Sequence, residues 1–450
     1  MKRNKFNLTF KYLAIFIVII AFTNTSFSRN LTLEEVEKIA IENNLSIKLV
    51  NESVKEANIS YKEAIGAVLP TVDAFSQFTD NFELPVMTIE MPSFTNPGET
   101  NKTSMEMGTK YNSVLGVSAS QPIFTGGAIF AGYKIAKKSV HLSKLQQESQ
   151  RDNIIVNVRT LYYQIQLMES LINATSQSYA SAKSNYELVK KQKAVGKASK
   201  FEVLQAQVQY RSLKPKLISL KNQKNILLTN FLTLLNDEDL DSIVISEELQ
   251  KETNPYKNRS LDYIKTIALK KRNELKLLNG QKYIQRNKRL ISYSSGLPKV
   301  SIQSQIQYQS QAESIDDLEY VKSMNASVNL SIPIFSGARN FRKVQKSNIE
   351  IKKTNIQYEQ TRNHILSEVE STYLKVKETK ANIEANSGLI EQAKEALRLA
   401  KLMYENGRIT QLEVQSAESS YLQAQSAYYQ SIFEYNIAIN NLKRSLNEIS

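Results

Sequence analysis

The feature that most constrains this chain is an internal duplication at a fixed offset. The octapeptide SQPIFTGG at 120–127 returns as SIPIFSGA at 331–338. Holding that offset of 211 positions, Val158 meets Val369, Tyr162 meets Tyr373, Gly196 meets Gly407, Glu202 meets Glu413, Val203 meets Val414, Ala206 meets Ala417 and Tyr210 meets Tyr421. A gapless register over roughly ninety residues marks a repeated structural unit, which has to be recognised before any single element is read. Each copy has a polarity. Period-two alternation precedes the Pro-Ile-Phe-Gly stretch and helical periodicity follows it, so the stretch is a hinge between strand and helix, used twice.

Upstream of the first hinge, Leu33, Val36, Ile39, Ala40, Ile47, Val54 and Ile65 fall on helical spacings, and the segment 31–69 closes with Leu69-Pro70. The pattern returns at 261–297 and closes with Leu297-Pro298, now at an offset of 228. The first unit therefore carries an insertion of 17 residues between Pro70 and Pro122. Between each pair of prolines lies a hairpin. Val300, Ile302, Ile306 and Tyr308 alternate with Ser and Gln. Met324, Ala326, Val328, Leu330 and Ile332 alternate with Asn and Ser, and Leu115, Val117 and Ala119 with Gly116, Ser118 and Ser120. Such strands have one apolar face and one polar, uncharged face. That pattern suits a transmembrane barrel, apolar to lipid and polar to a wet lumen; the alternative is an ordinary antiparallel sheet packed on a core. The inserted segment 83–110, with Pro85, Pro92, Pro97, Gly98 and four Met, reads as a long extracellular loop.

After each hinge the apolar residues step by four and three. Ile154, Val158, Leu161, Ile165, Met168 and Ile172 do so in the first copy, and Ile365, Val369, Val376, Ile383, Ile390 and Leu397 keep the same register in the second. The returning segments carry Ala206, Tyr210, Leu213, Leu217, Leu220 and Leu227, then Ala417, Tyr421, Ala424, Tyr428, Tyr435, Ala438 and Leu442. This is coiled-coil spacing. A helix from 131 to 195 is roughly 95 Å long at its standard rise, more than one globular core requires. Pro215, matched by Ser426, predicts a local kink. At the turns, Gly196 and Gly407 stop the incoming helices. Ser199 and Thr410 then act as N-caps, with Glu202 and Glu413 three residues on, a capping box used twice.

Residues 1–28 read as a cleaved signal peptide: a basic start (Lys2, Arg3, Lys5, Lys11), an apolar run from Leu13 to Phe22, then Ser26 and Ser28. That run is too short to span a bilayer as a helix, and nothing later is long and apolar enough, so any membrane part must be a barrel. Cysteine is absent, which excludes disulfides, thiolate chemistry and an N-terminal lipid anchor. The two histidines, His141 and His364, have no counterparts in the repeat, and no metal or cofactor is expected. The formal charge of +14 comes from scattered Lys with no basic patch, which argues against nucleic acid. No triad, paired carboxylates or phosphate-cradling loop points to an enzyme.

The order helix, Leu-Pro, two strands, Pro-Ile-Phe-(Thr/Ser)-Gly, long helix, Gly turn with Glu-Val, long helix, repeated behind a signal, resembles the TolC-like outer-membrane efflux protein family over nearly all of 31–450. The resemblance implies a mostly α fold with a transmembrane β-barrel part. Each chain would form two tandem helix–hairpin–helix–helix repeats and give four strands to a trimeric 12-stranded barrel above a long α-helical periplasmic tunnel. The first repeat would span 29–236, with strands at about 71–82 and 111–123 and helices at about 131–195 and 199–236. An equatorial linker would occupy 237–260, and the second repeat 261–450, with strands at about 299–310 and 323–334 and helices at about 338–405 and 410–447. The function implied is a passive exit duct for efflux or type I secretion. It would work with a periplasmic adaptor and an inner-membrane pump of antiporter or ABC type. The adaptor would dock at Gly196, Ser199, Glu202, Val203, Gly407, Thr410, Glu413 and Val414. Tyr404, Arg408, Glu413 and Glu418 are candidates for a tip gate, although capping alone also explains Glu202 and Glu413. Pro70, Pro122, Gly126, Pro298, Pro333 and Gly337 form the barrel–tunnel hinge and are architectural. A secreted or periplasmic coiled-coil structural or adhesive protein, and the adaptor itself, are the competing readings. The first leaves the hairpins unexplained; the second needs compact β domains that the sequence lacks.

Overall fold

The structure, a computed structural model, describes residues 29–92, 100–237, 243–245 and 247–449. The signal segment lies outside them, as do parts of the inserted segment and the linker. The chain divides into two compact units. Among the described residues, one comprises those within 29–52, 145–276 and 360–449; the other comprises those within 53–144 and 277–359.

The first repeat opens with β1 (Arg29–Leu31), α1 (Leu33–Asn43) and α2 (Leu45–Gly66). It continues with β2 (Thr71–Asp80), β3 (Val86–Pro92), β4 (Thr100–Glu106) and β5 (Tyr111–Phe124), then α3 (Ala128–Ala194) and α4 (Lys200–Leu235). After β6 (Ile243–Ile245) the second repeat gives α5 (Leu261–Lys271), α6 (Asn273–Ser294), β7 (Lys299–Ala312), β8 (Val321–Ser331), α7 (Arg339–Glu405) and α8 (Gln411–Ser445). The fold is mostly α with antiparallel strands, in two tandem repeats. The helix α4 runs as one element from Lys200 to Leu235 with Pro215 inside it.

The sequence pattern predicts four strands, and these form one antiparallel sheet in the order β2-β5-β7-β8. Among the described residues the structure adds four shorter strands. The inserted segment, read as a loop, folds in part as a separate β3–β4 ribbon. The linker contributes β6, which pairs in parallel with β1 through Leu31↔Ile245. Three-residue strands are too short for alternation to reveal them.

A second correction concerns the helices read as continuous at 31–69 and 261–297. Both break, at Asn44 and at Arg272, which are equivalent positions at the 228 offset. Their backbones are nearly identical (φ −59°, ψ 128° and φ −57°, ψ 125°), and each N–H still closes the preceding helix on Ala40 or Ala268. The side chains explain why both breaks are stable. Asn44 Nδ2 donates to the carbonyl of Leu234 (2.8 Å), while its Oδ1 accepts from the N–H of Ser46. Arg272 donates to the carbonyl of Ser445 (3.3 Å), which is the equivalent of Leu234 at the 211 offset. Different chemistry thus ties the same bend to the end of the returning helix in both copies.

The core of the first unit gathers Leu31, Val36, Ala40, Val158, Tyr162, Ile165, Phe231 and Leu235. Buried positions obey the duplication: Val36 and Ile264, Ala40 and Ala268, and Val158 and Val369 are all fully buried pairs. An ion pair obeys it with inverted sign. Arg159 forks onto Glu37 at 2.6 and 3.2 Å, and at the equivalent positions Lys265 meets Glu370 at 2.7 Å. Pairing either helix with the other repeat's partner would set like charges together, so the inversion specifies which helices pair.

Candidate functional site

Two surfaces follow from this architecture. The first is the four-stranded sheet. Its register places Val117, Ile306 and Met324 in one row, Ile302 beside Val328, and Val300 beside Leu330. Val117, Met324, Val328 and Leu330 are all exposed. The opposite face aligns Ser120, Gln303 and Ser327, then Asp73, Ser118, Gln305 and Asn325. Its amides form a ladder: Gln305 Nε2 donates to Gln307 Oε1, Gln307 to Gln309 (3.3 Å), and Asn329 to Gln303 (3.1 Å). Among the described residues, β2 and β8 each pair with one strand only, so both sheet edges are open.

The hinge residues bracket this sheet. Pro70 and Pro298 immediately precede β2 and β7. Pro122 lies inside β5 but beyond the end of its pairing with β2, beside a register shift between Pro122 and Phe124. A proline is tolerated there because one side of the strand needs no donor. Pro333 lies just past β8. Gly126 and Gly337 adopt φ +64° and +61°. Gly126 is required twice over, since an added Cβ would lie 2.9 Å from Leu297 Cβ and 3.0 Å from the Ser294 carbonyl.

The second surface is the pair of helical turns. Gly196 and Gly407 take φ +75° and +69°. The next amides, of Lys197 and Arg408, reach back to the carbonyls of Gln192 (2.8 Å) and Met403 (2.9 Å), a Schellman closure. Both capping boxes form. Glu202 accepts from the N–H of Ser199 at 2.6 Å and Glu413 from that of Thr410 at 2.7 Å. Both turns are therefore fully capped, each N-cap contributing about 1 kcal/mol.

The backbone N–H of Thr410, then its hydroxyl, hold the Glu413 carboxyl below its ordinary value. A depressed carboxyl adds stability that is present above the ordinary glutamate range, about 4.3, and lost as pH falls through the depressed value. In an NMR titration the Glu413 carboxyl should therefore have its midpoint below that range, with the Thr410 amide shift following it. Glu413→Gln should remove the amide's acid transition. A midpoint at or above the ordinary value would contradict the cap assignment.

The four candidate gate residues do not meet in one contact. Glu413 closes its own cap. Tyr404 donates to Gln192 Oε1 (3.3 Å); burial, with the Glu202 carboxylate adding, pushes its phenol above the ordinary value. Arg408 is held through its backbone. Glu418 is buried and joins three helices: it accepts from Ser181 Oγ of α3 at 2.7 Å and pairs with Lys401 Nζ of α7 at 3.3 Å, while Lys401 also reaches Ser181 at 2.9 Å. Nearby, Gln415 donates to Gln209 (2.7 Å), which donates to Ser419 (3.3 Å), linking α8 to α4. Glu418, Gln209 and Leu422 line a cavity of 360 Å³.

Val414 is 3% exposed and packs inside the tip, so it offers little to a docking partner. Phe201 and Leu412, equivalent at the 211 offset, are 69% and 57% exposed. Sequence reasoning passed over them; the signal was an apolar residue in the first turn of a capped helix, repeated in both copies.

A family model described as outer membrane efflux protein matches residues 86–237 and 289–448. That is well over half of the chain, which belongs to this family. Outer membrane protein TolC of Escherichia coli strain K12 is 28% identical over 223 residues, 46% of this chain and 44% of TolC, so the match spans less than half of that relative. Solved structures share the fold. A membrane protein from Pseudomonas aeruginosa matches at TM-score 0.76 and 17% identity, covering 94% of this chain and 95% of its own. The Campylobacter jejuni CmeC outer membrane channel matches at 0.76 and 20%, covering 92% and 85%. VceC of Vibrio cholerae matches at 0.74 and 16%, covering 92% and 96%.

Proposed function

We propose that this outer membrane efflux protein works as a homotrimeric exit duct that docks a periplasmic adaptor and, through it, an inner-membrane pump. The observation that carries the reading is the open-edged sheet with one apolar and one amide-laddered face. In hydrocarbon, unpaired sheet edges are not tolerated, so β2 of one copy has to meet β8 of the next until the sheet closes. Three copies of four strands give the twelve-stranded barrel of the family, with the apolar rows toward lipid and the amide ladder toward the lumen. Adaptor docking is supported by the two fully capped turns, which present Phe201 and Leu412 beside their caps.

In an outer-membrane fraction the protein should show heat-modifiable mobility. A monomer soluble without detergent would overturn the barrel. The docking role has its own test. Gly196→Phe with Gly407→Phe forces large side chains into positive φ at turns where an added Cβ meets nothing within 4 Å. Export should be lost while trimer yield stays normal. Unchanged export would remove the tips from adaptor binding and leave the barrel reading intact.

A further inference from the structure

Four of the chain's eight methionines, Met87, Met91, Met105 and Met107, lie on or beside the β3–β4 ribbon. The two strands pair from Val86↔Glu106 to Pro92↔Thr100 without a register shift, and Met87 stands directly opposite Met105. Side chains alternate along a strand, so Met87, Ile89 and Met91 share a face with Met105 and Thr103. Met107, whose N–H donates to the Pro85 carbonyl (2.9 Å), extends that row with the same parity. The other face is polar: Thr88 and Ser104 join hydroxyls at 3.4 Å, and Lys102 pairs with Glu90 at 3.1 Å.

The four thioethers are 45–55% exposed. Methionine ordinarily fills irregular gaps in cores, and it is not among the residues that favour strands. Neither packing nor propensity accounts for a solvent-facing row of it on a ribbon with a polar back. Its coordination chemistry does. Directly opposed residues have Cβ atoms about 4.5–5.5 Å apart and diagonal neighbours about 7–8 Å. Those separations let three long, unbranched side chains converge on one ion. A neutral thioether set selects soft cations over hard ones, which prefer oxygen. The chain has no cysteine to compete for such an ion. Among the described residues no cluster of His, Cys, Asp or Glu could hold a metal.

We propose that the methionine face of the β3–β4 ribbon binds a soft monovalent cation, Cu(I) or Ag(I), through Met87, Met105 and Met107, with Met91 further along the same row. The site is independent of adaptor docking. The probe is Ag(I), titrated into the full-length detergent-solubilised protein labelled at the methionine methyl groups. The methyl resonances of Met87, Met105 and Met107 should shift together and saturate at one ion per chain, while those of Met168, Met324 and Met403 stay in place. X-ray absorption at the silver edge should give a sulfur-only shell. The triple variant Met87→Leu, Met105→Leu, Met107→Leu keeps an apolar face but has no sulfur donor at those positions, and should lose saturable Ag(I) binding at one ion per chain. Equal affinity of variant and wild type, uniform shifts of all methionines, or an oxygen and nitrogen shell would overturn the proposal and leave the row as an apolar surface.

Discussion

Gly116→Val should abolish assembly of the β-sheet region, leaving little or no heat-modifiable oligomer in the membrane fraction. Gly116 lies in the middle of β5, where an added Cβ would sit 2.5 Å from the Ile306 carbonyl oxygen, 2.8 Å from Phe75 Cζ and 3.0 Å from Gln307 Cα. Two of those three atoms are backbone of the paired strand β7. They cannot move without opening the β5–β7 ladder that holds the centre of the sheet. Overpacking costs about 1–3 kcal/mol where side chains can yield, and the cost here lies at or beyond the upper end. Even Gly116→Ala should reduce yield, because the clash begins at Cβ. The position is glycine because Phe75, on the neighbouring strand β2, lays its ring across it; a residue without a side chain leaves room for an aromatic cover. Gly132 in α3 is the control. An added Cβ there meets nothing within 4 Å, and Gly132→Ala should be neutral or stabilising by about 0.5–1 kcal/mol. Normal oligomer yield and an unchanged melting temperature for Gly116→Val would refute the register of the central strands.

Arg272→Ala should be strongly destabilising, by about 3 kcal/mol, the lower end of what removal of one partner of a buried ion pair costs, because Glu368 is largely buried while Glu274 is half exposed. Arg272 is 7% exposed. Its guanidinium forks onto Glu274 at 2.9 and 2.8 Å, touches Glu368 at 2.8 Å and donates to the Ser445 carbonyl. Its removal leaves Glu368 with Arg444, 3.5 Å away, and takes from the end of α8 the donor to the Ser445 carbonyl. Arg272→Lys should recover only part of the loss, since an ammonium keeps the charge but not the planar fork. The thermal midpoint of the helical circular-dichroism signal in detergent would measure this. A loss below about 1 kcal/mol, the range of an exposed pair, would show that the bend at Arg272 does not depend on the network.

Much of the fold was legible because a duplication writes every signal twice. The Pro-Ile-Phe-Gly hinges, the alternating hairpins and the two capping boxes each confirm themselves at a fixed offset, and family membership followed from their order. The offset also held the signals that went unread. Thr32 and Ser260 are equivalent N-caps, and the breaks at Asn44 and Arg272 repeat as faithfully as the glycines. They escaped notice because neither Asn nor Arg punctuates a chain as strongly as Gly or Pro. What holds each bend is a hydrogen bond to a carbonyl at least 173 residues away, Leu234 or Ser445. The gate candidates each have separate partners for a related reason. Local spacing identifies a capping glutamate, but Glu418 is positioned by Ser181 and Lys401, which lie on two other helices.

By itself the sequence determined period, polarity and punctuation: where the chain alternates, where it coils, where it turns, and that it does so twice. These properties depend on residues within a few positions of one another, so local physics is enough. Only the tertiary structure decided which carboxylate meets which cation, that Met87 stands opposite Met105, and that Phe75 covers Gly116. It also showed that Arg159–Glu37 and Lys265–Glu370 are one ion pair written with opposite signs. Each of those facts joins residues brought together by strand register or helix packing. Register and packing are set by the sum of many contacts along the chain rather than by any one stretch of it.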